Sequence, residues 1–138
     1  LNDRLLLDTH VWLWIFLGAR RIKGVVRERL VASAESNELF IAAISMYEVG
    51  AGAKRGRIEL NMATQAWFDL ALVDPGLRLL ALTPEIASET AVLPDDFHGD
   101  PGDRLVAATA RVHNLVLCTH DEKLLRFGQQ GVYKFLEV

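Results

Sequence analysis

The chain reads as a single α/β domain, a central parallel sheet of about five strands with helices on both faces. Three observations lead there. Short apolar runs alternate with amphipathic segments of helical period from end to end. Strands separated by helices pair in parallel and bury both faces of the sheet. At 138 residues the chain is long enough for one core and short for two, so one domain over 1–138 is expected, without linker, repeat or low-complexity tract.

Each element has its own justification. Arg4 to Leu7 is a first strand closed by Asp8, and a very apolar helix from about His10 to Leu17 stops at Gly18. From Ile22 to Ser36, Arg and Glu alternate with Val, Leu and Ala in a helical rhythm. Leu39 to Ala42 is a second buried strand. Ser45 opens a helix to about Lys54, with a turn at Gly56, and another helix from Ala63 to Leu72 ends at Asp74-Pro75-Gly76. Arg78 to Leu82 is a third strand. Thr83-Pro84-Glu85 then starts a helix with a Thr cap, a first-turn Pro and an acid at the positive pole. Pro94 to Gly102 is the one sizeable loop. Helix resumes from Asp103 to His113, then come strand Leu115 to Thr119, a short helix after Asp121, and a last strand near Tyr133 to Leu136.

Composition narrows the functions. With 18 acidic and 15 basic residues the net charge is −3, so no general basic coat for nucleic acid exists. A polyanion would have to be held by a local basic patch or a bound cation. The single cysteine, Cys118, excludes an internal disulfide and a thiolate metal site, and its apolar run predicts a buried thiol. His10, His98, His113 and His120 show no zinc spacing. Asp8 and His10 interrupt the apolar stretch from Leu5 to Leu17, which therefore reads poorly as a signal peptide or membrane span. A cytoplasmic protein is expected, with no membrane partner; the first residue is Leu, so the natural start is left open.

In a sheet of this kind ligands gather at the carboxyl ends of the strands. Asp8 ends the first strand, Glu48 lies in the first turn after the second, Asp103 opens the helix into the fourth, and Asp121 follows the fourth. All four fall on that edge. Carboxylates gathered there repel one another, and a hard divalent cation such as Mg²⁺ or Mn²⁺ relieves the repulsion. The same cation can activate water and neutralise a phosphodiester. Each acid also has a structural reading: Ser45 and Glu48 fit a capping box, Asp103 meets the dipole of a helix that Asp100 caps with Pro101 in its first turn, and Asp121 caps the last short helix. Asp8, ending a buried apolar strand, is hardest to explain structurally.

These residues also carry a resemblance. Leu5-Leu6-Leu7-Asp8-Thr9-His10, Ser45-Met46-Tyr47-Glu48-Val49, His98-Gly99-Asp100-Pro101-Gly102-Asp103-Arg104 and Thr119-His120-Asp121 resemble the successive motifs of PIN domains, most closely VapC-type toxins of bacterial toxin–antitoxin pairs. The resemblance spans nearly the whole chain. It implies a Mg²⁺- or Mn²⁺-dependent endoribonuclease with Asp8, Glu48, Asp103 and Asp121 as its catalytic, metal-holding acids, a homodimer, and an inhibitory antitoxin partner. The sequence departs from the family's habit in Gly102, where a larger apolar side chain or a small Ala is common and the helix start is expected to be looser, and in His120 before the last acid, where a small or basic residue is more usual.

Around the acids, Thr9, Asp100 and Thr119 are candidates to orient carboxylates. Arg104 is a candidate for substrate phosphate or for an ion pair within the cluster. Lys54, Arg55 and Arg57 form a second candidate RNA contact, or simply a cationic helix end. The run Val11 to Leu17 is apolar all round, so part of Trp12, Trp14 and Phe16 is expected in a protein interface, such as a groove for an antitoxin helix. Other readings are a Mg²⁺-dependent phosphatase, which needs an Asp where His10 stands, and a phosphoacceptor module, which needs a paired acid and a Lys that are missing. A PIN-type fold that binds RNA or protein without cleaving is a third. No Gly-rich phosphate loop or nucleophile elbow occurs.

Overall fold

The computed structural model describes residues 3–18 and 22–138. The remainder of the expected 1–138 domain lies outside the described residues. Five strands form one sheet: β1 (Leu5–Leu7), β2 (Leu39–Ala42), β3 (Leu77–Leu80), β4 (Val116–Thr119) and β5 (Lys134–Glu137). Their order is β3-β2-β1-β4-β5, and all four pairings are parallel. Between them run α1 (Thr9–Phe16), α2 (Gly24–Glu35), α3 (Ala43–Lys54), α4 (Thr64–Ala71), α5 (Pro84–Glu89), α6 (Pro101–His113) and α7 (Glu122–Gln129).

Alternate residues of the central strands feed two cores, which is why these strands read as continuous apolar runs. Leu5, Leu7, Leu39 and Ile41 pack with Trp12, Leu30 and Trp67 on one face. Leu6, Phe40, Ala42 and Leu117 pack with Val106, Leu124 and Phe127 on the other. Chain connection runs from β1 outward to β3, then crosses to β4 and β5 on the other side. The topology therefore reverses between β1 and β4, and the carboxyl ends of those two strands border the crevice where open sheets of this type bind ligands.

Local signals in the sequence set most boundaries. Gly18, at φ +70°, follows α1 in the left-handed region that only glycine enters freely. Thr83 caps α5 by accepting from Ile86 N, and Asp100 caps α6 by accepting from Asp103 N. Gly102 does not loosen that start, because the Asp100 cap is made in full.

One expectation fails here and another is narrowed. The helix after β2 begins at Ala43, not Ser45, and its cap is Ala42, which makes no side-chain cap bond. The strand runs into the helix without a loop, so Ser45 is the third helical residue and Glu48 the sixth. The capping box does not form. Second, Trp12 is no interface residue: it is fully buried, with the Trp67 ring 5.0 Å and the Phe68 ring 6.5 Å away. Helix α4 covers the face of α1 that was expected to be bare. Trp14 is partly buried against the His120 ring at 4.5 Å, while Phe16 is 36% exposed.

Candidate active site

The acids stand on the expected edge, each held by a different element. Asp8 leaves β1 and caps α1. Its Oδ1 accepts from Thr9 N at 2.8 Å, and its Oδ2 accepts from Thr119 Oγ1 at 2.8 Å across the sheet. It is 6% exposed. Thr119, the last residue of β4, is fully buried and also accepts from Asp121 N at 3.0 Å. One hydroxyl thus ties the loops after β1 and β4 together.

Glu48 projects from the second turn of α3. Its Oε1 accepts from Thr9 Oγ1 at 2.6 Å, and Thr9 Oγ1 lies 2.8 Å from buried Ser45 Oγ. Ser45 and Glu48 are three apart on one helical face, so both reach the same hydroxyl. The other Glu48 oxygen rests against Gly102: a Cβ there would collide with Oε2 and stand 2.8 Å from Cδ. The glycine makes room for the acid.

Asp103 lies in the first turn of α6. Its Oδ2 is 2.6 Å from His98 Nε2. Asp121 is exposed and caps α7, its Oδ1 accepting from Lys123 N and Leu124 N at 2.9 and 3.1 Å.

Burial and mutual repulsion act together on this group. Burial pushes the Asp8, Glu48 and Asp103 carboxyls above their ordinary range, against the bonds from Thr119, Thr9 and His98. Asp121 adds to the rise at Asp8, and Asp8 with Asp100 adds to the rise at Glu48 and at Asp103. Among the described residues no three His, Cys, Asp or Glu side chains form a ready-made cation cage.

Other candidates divide. Thr9 and Thr119 do contact carboxylates. Asp100 is exposed and bonds a backbone N–H rather than an acid. Arg104 makes no ion pair with the acids among the described residues: its guanidinium donates to the carbonyls of Phe97, His98 and Thr90 at 3.1, 3.4 and 3.0 Å. These bonds hold the loop before α6 against the end of α5. Arg55 and Arg57 are exposed and line a cleft of about 480 Å³ with Glu48, Tyr47, His10 and Gly102. Lys54 borders the adjoining hollow by Gly56 and Met62. Cys118 is buried, its thiol pushed up to about 12 by desolvation.

Sequence reasoning missed three contributors: Ser45 as a buried hydroxyl, Gly102 as room for Glu48, and His98 as partner of Asp103. A trace of the last was present, since His98 and Asp103 flank one tight loop-to-helix turn.

Comparison with known proteins agrees with the geometry. The family model for the PIN domain matches residues 5–129. Ribonuclease VapC22 of Mycobacterium tuberculosis is 35% identical over 119 residues, covering 86% of this chain and 88% of that protein. Among solved structures, VapBC2 from Rickettsia felis bound to a DNA fragment from its promoter superposes with a TM-score of 0.72 at 16% identity, over 96% of this chain and 97% of that one. DNA-bound VapBC from Salmonella typhimurium gives 0.68 at 20% identity, over 99% and 98%. At these identities the structures speak for the fold alone. The phosphatase and phosphoacceptor readings find no support in any of them. Taken with the sheet and its row of acids, the match over most of the sequence means that this chain belongs to the PIN domain family, among its VapC-type members.

Proposed function

We propose that this chain is a divalent-metal-dependent endoribonuclease that hydrolyses RNA phosphodiester bonds as the toxin of a toxin–antitoxin pair, one nuclease domain across 1–138. The carrying observation is that Asp8, Glu48 and Asp103 share one edge of the sheet, each made harder to ionise by burial and by its neighbours. The relative named as a ribonuclease supports the reading.

The donor set fits Mg²⁺ or Mn²⁺: hard carboxylate oxygens with unrelieved negative charge, and no thiolate. Asp8 and Asp103 would hold the cation directly, with Glu48 and Asp121 completing the site. A cation bound there supplies an activated water and neutralises charge on the phosphodiester. Thr119 and Thr9 hold the Asp8 and Glu48 carboxylates in place. Arg55 and Arg57, lining the cleft beside Glu48, supply positive charge for flanking phosphates, and Lys54 extends that patch.

The antitoxin reading draws on neighbours solved as VapBC or toxin–antitoxin complexes, including one from Klebsiella pneumoniae with a TM-score of 0.58 at 22% identity, over 85% of this chain and 86% of that one. A groove of about 550 Å³ lined by Trp14, Ile15, Ile22, Leu30 and Val31, with Phe16 exposed on the same helix as Trp14, offers an apolar partner an anchor. A homodimer and a cytoplasmic location complete the proposal; among the described residues no helix is long and apolar enough to cross a membrane.

The test is purified protein, free of partner, incubated with mixed RNA in Mg²⁺, Mn²⁺ or EDTA, beside Asp8→Asn. Cleavage that needs metal and Asp8 is expected. Cleavage that survives the substitution refutes the site, and inertness toward mixed RNA, whole tRNA and ribosomes refutes the activity.

A further inference from the structure

We propose that His98 is a positioning residue for Asp103, its Nε2–H gripping one carboxylate oxygen so that the other is presented to Asp8 and Glu48. This deepens the nuclease reading and rests on it. The contact is 2.6 Å, shorter than an ordinary N–H···O bond. Among the described residues Nδ1 is buried with no hydrogen-bond partner. An ionised carboxylate can only accept, so the ring nitrogen facing Asp103 carries the proton, and Nδ1 needs no donor role.

The ring cannot swing away. It stacks on Phe97 at 4.6 Å and 17°, and the Phe127 ring lies 6.1 Å off. Phe97 and Phe127 are themselves core residues. Arg104, one residue after Asp103, fastens the carbonyls of both Phe97 and His98. Loop, ring and acid thus form one clamped unit. Without it, Asp103 would be free to turn from Asp8, whose charge repels it. The pattern is shared: Thr119 holds Asp8, Thr9 holds Glu48, His98 holds Asp103.

The test combines imidazole ¹⁵N spectroscopy of the metal-free wild type with Mn²⁺ calorimetry and RNA kinetics on His98→Leu and His98→Gln. The Nε2–H tautomer is expected. His98→Leu is expected to weaken Mn²⁺ binding about 10- to 100-fold, as loss of a ligand's hydrogen-bond partner does. Its kcat falls while KM for RNA stays within about twofold. His98→Gln, whose amide nitrogen extends about as far as Nε2, restores most of both. An Nδ1–H tautomer, a His98→Leu protein with wild-type Mn²⁺ affinity and kcat, or a Gln variant no better than Leu would overturn the proposal alone. A wild type that neither binds Mn²⁺ nor cuts RNA would instead overturn the nuclease reading and this proposal with it.

Discussion

Replacing Thr119 by Val isolates what the buried hydroxyl does for the site. Val keeps the β-branched shape at a fully buried position in β4, so packing is nearly unchanged and two hydrogen bonds are lost. The bond donated to Asp8 Oδ2 goes to a charged acceptor and is worth about 1.5–3 kcal/mol. The bond accepted from Asp121 N adds less, about 0.5–1 kcal/mol, because Asp121 is exposed and water can replace it. The expected cost at pH 8 in EDTA is about 2–4 kcal/mol, seen as a midpoint shift in urea at unchanged m. In a domain whose total stability is about 5–15 kcal/mol, that is a large fraction. The cost also depends on pH in a definite direction. Thr119 favours the ionised form of Asp8, so its removal raises an already raised carboxyl further. The variant then loses more stability than the wild type as pH rises, and the difference shrinks toward pH 4 as Asp8 takes up a proton. A variant within about 0.5 kcal/mol of wild type at pH 8, or a loss equal at both pH values, would refute the assignment of this bond.

Further predictions follow from the same site. Asp8, Glu48 and Asp103 have folded values above their unfolded ones, so the stability they contribute is fully present below about pH 4 and is lost as pH rises through the raised values. Metal-free protein is therefore expected to melt lower at pH 8 than at pH 5.5, and Mn²⁺ at 100 times its Kd to restore about 2.7 kcal/mol at pH 8, but not in Asp8→Asn; calorimetric melts with and without Mn²⁺ decide this. Gly102→Ala is expected to leave unfolding stability within about 1 kcal/mol while weakening Mn²⁺ binding, because the added Cβ displaces the Glu48 carboxylate; calorimetry showing undiminished affinity would contradict that contact. Trp12→Ala is expected to cost about 3–5 kcal/mol in urea and Phe16→Ala less than half as much, since only the first empties a sealed part of the core.

Much of this protein was legible one segment at a time. The apolar runs at Leu5, Leu39 and Leu115, the caps at Thr83, Asp100 and Asp121, and the stop at Gly18 each depend on a few neighbouring residues, so the elements could be placed within about two residues. The four acids were legible because strand ends and helix starts share one edge in a parallel sheet. What neighbouring residues cannot encode is which distant segments meet. The β3-β2-β1-β4-β5 order puts Thr119 on Asp8, 111 residues apart, and Thr9 on Glu48, 39 apart. Ser45 looked like a cap and is a buried hydroxyl because β2 enters α3 without a loop. Trp12 looked like an anchor for a partner and is core because α4 folds over it. Arg104 looked like a phosphate contact and also serves as a strut, because the carbonyls of Thr90, Phe97 and His98 come within its reach. Periodicity and turn chemistry determine the elements and the edge on which the acids stand. Only close packing between elements decides which polar atom finds which partner, because a hydrogen bond is made or lost within about half an ångström.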